Sequence, residues 1–275
     1  MSSIASARRQ TSSIVLYLVL AFGGAWGFWL VAWLISKGRL HGLDLITILI
    51  IGAFAPLLGA AVGTLRDGGF RYAWNFFRRG LNPKMGWVVF LISFFLVPLI
   101  AMAAEQVHAW VTRTSFAFTM GWGDVVPSYL WLFFLGGALC EEFGWSYLSD
   151  KLDAVMPLTR STFVLGAIWA LWHIPLFFIV APGLAASWSP FHVFFVQTVA
   201  MRFLFAWTYH RSNYNILSNL LFHNASNMGY SIVALAPTAE DPSSDTLWYF
   251  MIMIVLAALT LWLIAPLKPK ALPAD

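Results

Sequence analysis

The chain has 275 residues, of which 60% are hydrophobic and only 10% charged, and its mean hydropathy is +0.76. A water-soluble domain carries about 25% charged residues, so this composition excludes a soluble globule and requires most of the outer surface to meet lipid. The net charge of +4 says less than the placement of the positive residues, and the single cysteine, Cys140, excludes an intrachain disulfide.

Arg8 and Arg9 precede the first apolar run, at 14–36. That run is too long for a signal-peptide core and long enough to span a bilayer, so it reads as a first membrane helix rather than a cleaved leader. Further apolar runs fall at 45–65, 86–104, 126–149, 159–180, 190–209, 214–236 and 246–266. Each approaches the ~20 residues that cross the hydrocarbon core, where a helix satisfies its own backbone hydrogen bonds. Pro56, Pro98 and Pro175 lie inside runs, which membrane helices tolerate when neighbours satisfy the freed carbonyls. Between the second and third runs, the segment 66–84 is basic and aromatic. Its Arg71, Arg78 and Arg79, with Phe70, Tyr72, Trp74, Phe76 and Phe77, suit a helix lying on the membrane surface, or an ordinary basic loop.

The pattern predicts an all-α polytopic bundle of about eight transmembrane helices. It divides into an N-terminal membrane region at 1–125, a core at 126–235 and a last helix with its tail at 236–275. Eight spans put both termini on one side. Twelve Lys and Arg then fall on that side and three (Lys37, Arg39, Arg113) on the other, with Arg202 inside a helix. Positive residues concentrate in cytoplasmic loops, so both termini are expected in the cytoplasm and the acidic loop of Glu240, Asp241 and Asp245 outside.

Ionisable groups within membrane helices cost at least ~2.5–3.5 kcal/mol each by insertion scales and mark function by default. Here they come on three helices. Glu141 and Glu142 follow each other in the fourth run and point about 100° apart, so one can face a cavity and the other a neighbouring helix. Two carboxylates this close repel and suit acid–base chemistry; the plain alternative is a solvated pair at the interface. Trp169 and His173, four apart, share a face of the fifth helix, although a lone buried histidine is often a satisfied core residue. In the seventh run Asn215, Asn219, His223 and Asn227 recur every four residues, a polar stripe that must face protein or water. Interhelical hydrogen bonding accounts for Asn215 and Asn219, while His223 and Asn227 read as chemistry. At 1.5 Å per residue, Glu141 and His223 lie about 12–14 Å from the cytoplasmic ends of their helices and His173 about 20 Å.

In order and spacing, EEFGWS (Glu141–Ser146), WALWH (Trp169–His173) and HNASN (His223–Asn227) resemble the motifs of the CPBP intramembrane proteases. That family includes the CAAX prenyl endopeptidases and the ABI-type bacterial proteins of bacteriocin processing and immunity. The resemblance covers roughly residues 126–235. It implies an eight-helix fold, a cytoplasm-facing cavity and hydrolysis of a peptide bond in a peptide or membrane-protein tail, with lipid bilayer and no nucleic acid as surroundings. It also implies that Glu141 activates a water with help from His173, and that His223 and Asn227 donate to the oxyanion. Zinc held by Glu141, His173 and His223 is a possible cofactor. These residues lack the compact H-E-x-x-H spacing, so a metal-free mechanism with no required cofactor is preferred. One departure stands out: Ser146 occupies the place where the family motif has Arg. Arg202 is the expected substitute cation, paired with Glu142. A catalytically silent relative acting in immunity or as a chaperone, or a transporter using the same stripe, are the rival readings. The largely apolar outer half disfavours transport.

Overall fold

The structure is a computed structural model that describes residues 2–179, 189–233, 235 and 245–267, with the side chains of residues 2–9 left aside. Glu240, Asp241 and the C-terminal tail from Lys268 onward therefore lie outside the described residues.

Among the described residues, ten α-helices follow one another: α1 Ser2–Ser36, α2 Leu45–Ala53, α3 Ala55–Phe77, α4 Trp87–Thr112, α5 Trp122–Leu135, α6 Ala138–Asp153, α7 Leu158–Trp172, α8 Phe191–Arg211, α9 Ile216–Ile232 and α10 Asp245–Ile264. Each of the eight apolar runs contains helix among its described residues. Among the described residues, six stretches are long and apolar enough to cross a membrane, or seven if the bent pair α5–α6 forms one span. The remaining run supplies α9, which has only 17 residues.

Local chemistry explains where the helices break. Asp44 caps α2 by accepting from the backbone N–H and the hydroxyl of Thr47. Pro56 ends that run as one helix and opens α3, where its fixed φ suits a first turn. Pro98 stays inside α4, whereas Pro175 follows the end of α7 and starts a 3₁₀ turn, Ile174–Phe178. The basic segment proves helical on both sides of a kink. Gly68 and Gly69 leave helical geometry, Gly69 with φ of 72°, and the chain resumes as helix to Phe77 and a 3₁₀ turn at Arg78–Leu81. Gly136 and Gly137 break the 126–149 run into α5 and α6 with a bend of 44°.

At the centre lies α6. Every residue from Cys140 to Leu152 is buried, although the helix carries two glutamates, two serines, Asp150 and Lys151. Such a sequence can be buried only if each polar group finds a partner. Towards its end Asp150 pairs with Arg79 at 2.7 Å and accepts from the Tyr209 hydroxyl at 2.8 Å. Lys151 meets Asp67 at 2.6 Å, and Asp67 also accepts from Ser13 and Tyr147. Asp153 pairs with His210 at 3.1 Å. Asp150, Lys151 and Asp153 thus tie α6 to the 3₁₀ turn after α3, to α3 and to α8. Small residues allow close approach: a β-carbon on Gly144 would lie 2.4 Å from Pro56, so α3 and α6 pack nearly backbone to backbone.

Candidate active site

The site is built on the first turn of α6, just past the glycine break. Glu141 and Glu142 come within the turn that follows that break, after Ala138, Leu139 and Cys140, and a helix N-terminus favours negative charge. They point different ways, as adjacent helical residues must.

Glu142 is completely buried and faces α8 and α9. Both of its oxygens accept from the Arg202 guanidinium at 3.1 Å, a two-pronged match of fork to carboxylate. Oε1 also lies 2.9 Å from His223 Nδ1. Since an ionised carboxylate only accepts, the imidazole hydrogen sits on Nδ1 and Nε2 is turned away from Glu142. Arg202 is 2% exposed, with its guanidinium 4.3 Å from the Trp169 ring centroid and 4.5 Å from that of Phe205. Buried charges of this kind persist only when paired, and the expected Glu142–Arg202 pair is present.

Glu141, 5% exposed, faces α7. Its Oε2 accepts from two indoles, Trp145 Nε1 at 3.0 Å and Trp169 Nε1 at 2.8 Å. Oε1 takes neither. It lies close to Gly137, whose φ of 119° puts the backbone where an L side chain rarely goes. The position a β-carbon would occupy on Gly137 is 2.9 Å from Glu141 Oε1 and 2.8 Å from His223 Nε2. Acid oxygen and imidazole nitrogen are therefore no more than about 5.7 Å apart, the span of two hydrogen bonds.

His173 caps the end of α7, partly buried, with Nδ1 at 2.8 Å from the Trp169 carbonyl. Aromatic rings of Trp172, Phe194 and Trp169 surround it, centroids 4.9, 5.1 and 5.9 Å away. Asn227 donates through Nδ2 to the Gly136 carbonyl at 2.7 Å, so the α9 stripe also holds the glycine break. Asn219 donates to Ser146 at 3.3 Å, and Asn215 caps α9 while donating to the Asn82 carbonyl. Ser146 thus sits in a neutral contact, and the cation beside Glu142 comes from α8 instead.

Glu141, Glu142, Trp169, Arg202 and His223 are brought together through direct contacts, Asn227 joins through Gly136, and His173 joins through Trp169. Two residues escape a reading of the motifs. Trp145 had a signal, since it lies four residues after Glu141 on the same helical face. Gly137 had only its place in a glycine pair before the acids.

Among the described residues, no three His, Cys, Asp or Glu side chains form a group that could hold a metal ion as arranged. A separate apolar cavity of about 440 Å³ lies between α4, α5 and α9, lined by residues such as Phe94, Pro98, Trp122, Tyr129 and Met228. None of the site residues lines it.

A buried helix bearing paired carboxylates, inside an all-helical membrane bundle, defines an integral membrane protein, and its site segment has known counterparts. Residues 122–229 match the family of Rce1-like type II CAAX prenyl endopeptidases, a stretch that contains every site residue above. The chain is also similar to CAAX prenyl protease 2 of Methanococcus maripaludis, 22% identical over 255 residues, covering 88% of this chain and 92% of that protein. The resemblance carried by the three motifs thus holds in both comparisons.

Proposed function

We propose that this protein is an intramembrane endopeptidase that hydrolyses a peptide bond with a water activated by Glu141. The observation carrying this reading is the pair of buried carboxylates with separate partners. Glu142 is spent on Arg202 and His223, whereas Glu141 keeps Oε1 clear of both indoles and, like His223 Nε2, beside Gly137.

Each residue has a role in the reaction. Glu141 takes a proton from water as the water oxygen bonds to the peptide carbon, and later returns it to the leaving amine as the C–N bond breaks. General acid–base transfer of this kind supplies roughly 10²–10⁴ in rate. Because His223 gives Nδ1–H to Glu142, it donates through Nε2 only as imidazolium, with Glu142 as counter-ion. In that form it stabilises the oxyanion. Asn227 has one amide hydrogen committed to Gly136 and a second to offer. His173, its Nδ1–H held by Trp169, presents Nε2 as an acceptor that helps with water. No metal is required.

Both termini face the cytoplasm, on the twelve-to-three distribution of positive residues, and the substrate tail enters from that side. The relative named a CAAX prenyl protease suggests a lipidated tail, for which the apolar cavity offers a volume with almost no polar wall. Replacement of the motif arginine by Ser146 leaves room for a second reading, a silent relative with an immunity or chaperone role. The Arg202 substitution favours the active enzyme.

The test is cleavage of a peptide pool, with and without a farnesyl group, by the purified protein in detergent. Glu141→Ala and His223→Ala are expected to lose at least about 10²-fold in rate, the scale of removing a general base or an oxyanion donor. A strong chelator is expected to leave the wild type unchanged. Equal turnover in wild type and both variants contradicts the proposal.

A further inference from the structure

Glu141 has only one oxygen unpinned, and something must aim it. The two indoles hold Oε2 at 3.0 and 2.8 Å, while Gly137, having no β-carbon, leaves open the place where one would sit, which Oε1 and His223 Nε2 both border. We propose that Trp145 and Gly137 are positioning residues for the attacking water: Trp145, with Trp169, fixes the carboxylate so that Oε1 faces His223 Nε2 beside Gly137, and the water bridges those two atoms. This rests on the hydrolytic reading above and deepens it by naming where the nucleophile sits and what keeps it there.

Hydrogen-bond inventory supports the arrangement. A carboxylate has about four acceptor sites, and the indoles occupy those of one oxygen with donors that cannot themselves be deprotonated at working pH. Rotation of the carboxylate would leave two buried indole N–H groups unpaired, so the orientation is locked. Opposite, the Glu142 contact fixes the imidazole ring and points Nε2 at the same place. A water between them donates one hydrogen to Oε1 and accepts from the imidazolium Nε2–H. On attack the first hydrogen passes to Oε1, the new O–C bond forms, and Nε2–H is left next to the carbon that carries the oxyanion. Geometry that holds a nucleophile in this way supplies much of the rate, and a misplacement of about 1 Å costs on the order of 100-fold.

Gly137 contributes by what it lacks. A methyl there would lie 2.8 Å from Nε2 and 2.9 Å from Oε1, well inside carbon contact distance, and would force them apart while straining a φ of 119°.

The experiment measures kcat and KM on one cleaved peptide for full-length wild type, Trp145→Phe, Gly137→Ala and Glu141→Ala, with the thermal midpoint of each recorded in the same detergent. Trp145→Phe keeps an aromatic ring in a smaller side chain and removes the N–H, so its thermal midpoint separates lost packing from the lost hydrogen bond. It is expected to lower kcat by about 10- to 100-fold with KM within about twofold of wild type. Gly137→Ala, where folded, is expected to lose at least about 100-fold in kcat. Should Gly137→Ala fail to fold, Trp145→Phe decides alone. A folded Trp145→Phe with wild-type kcat, beside an inactive Glu141→Ala, overturns the positioning and leaves the hydrolase standing. A loss in Trp145→Phe that appears in KM alone also overturns it. Full activity in Glu141→Ala removes both.

Discussion

At the scale of single residues, the chemistry depends on buried charges that are never left alone. Removing one partner of a buried ion pair costs roughly 3–5 kcal/mol, because the other charge stays in a medium that cannot solvate it. Arg202→Met is expected to destabilise the protein by about that amount, read as a lowered thermal midpoint in detergent. Arg202→Met with Glu142→Gln together is expected to cost less than the single change. An Arg202→Met protein as stable as wild type would show that the pair contributes no net stability. The acids and imidazoles were legible in the sequence because charge inside an apolar run has few innocent explanations. Trp145 carried only its spacing of four from Glu141 as a signal, since a tryptophan in a membrane helix is unremarkable until its N–H is seen to end on a carboxylate. Arg202 could be matched to Glu142 in advance because a membrane arginine needs a carboxylate and Ser146 had vacated the usual place for one.

At the scale of helices, apolar runs gave the elements but concealed their breaks. The 126–149 run reads as one span, and only backbone geometry shows that Gly136–Gly137 bends it by 44° just before the acids. Glycine pairs occur in unbroken membrane helices, so composition could not decide it. The same holds for 45–65, where Pro56 starts a new helix, and for 66–84, where the helical alternative holds but the kink at Gly68–Gly69 was hidden. Packing of α6 against α3 belongs to this scale. Gly144→Ala is expected to force a β-carbon to within 2.4 Å of Pro56, and the resulting displacement costs about 1–3 kcal/mol in a well-packed core. A lowered thermal midpoint checks it; a shift within error would mean that the two helices separate freely. Hidden breaks and close contacts therefore place the acids, although the period of the sequence carries no trace of either.

For the whole molecule, composition alone identified a membrane protein, and the comparisons with CAAX endopeptidases agree. What composition does not give is the central role of α6, whose polar character hides it among the runs; its burial is a tertiary effect that each of its polar groups had to be matched to achieve. Orientation is open to a direct check, because Cys140 is fully buried and gives little background to thiol labelling. Lys84→Cys is expected to react with a membrane-impermeant maleimide only when the cytoplasmic face is opened, and Lys37→Cys from outside in intact cells. The reverse pattern would invert the topology and place substrate entry on the other side.

Central to all three scales is the proposal that Glu141 turns a water into the nucleophile that breaks a peptide bond. Cleavage carried out in water enriched in heavy oxygen, with products analysed by mass spectrometry, tests it most directly when wild type is compared with Glu141→Gln, a variant that keeps an acceptor for the two indoles and removes the base. Wild type is expected to place one heavy oxygen in the newly formed carboxyl terminus, and Glu141→Gln to give no product above background. Labelled product formed at the wild-type rate by Glu141→Gln would contradict it.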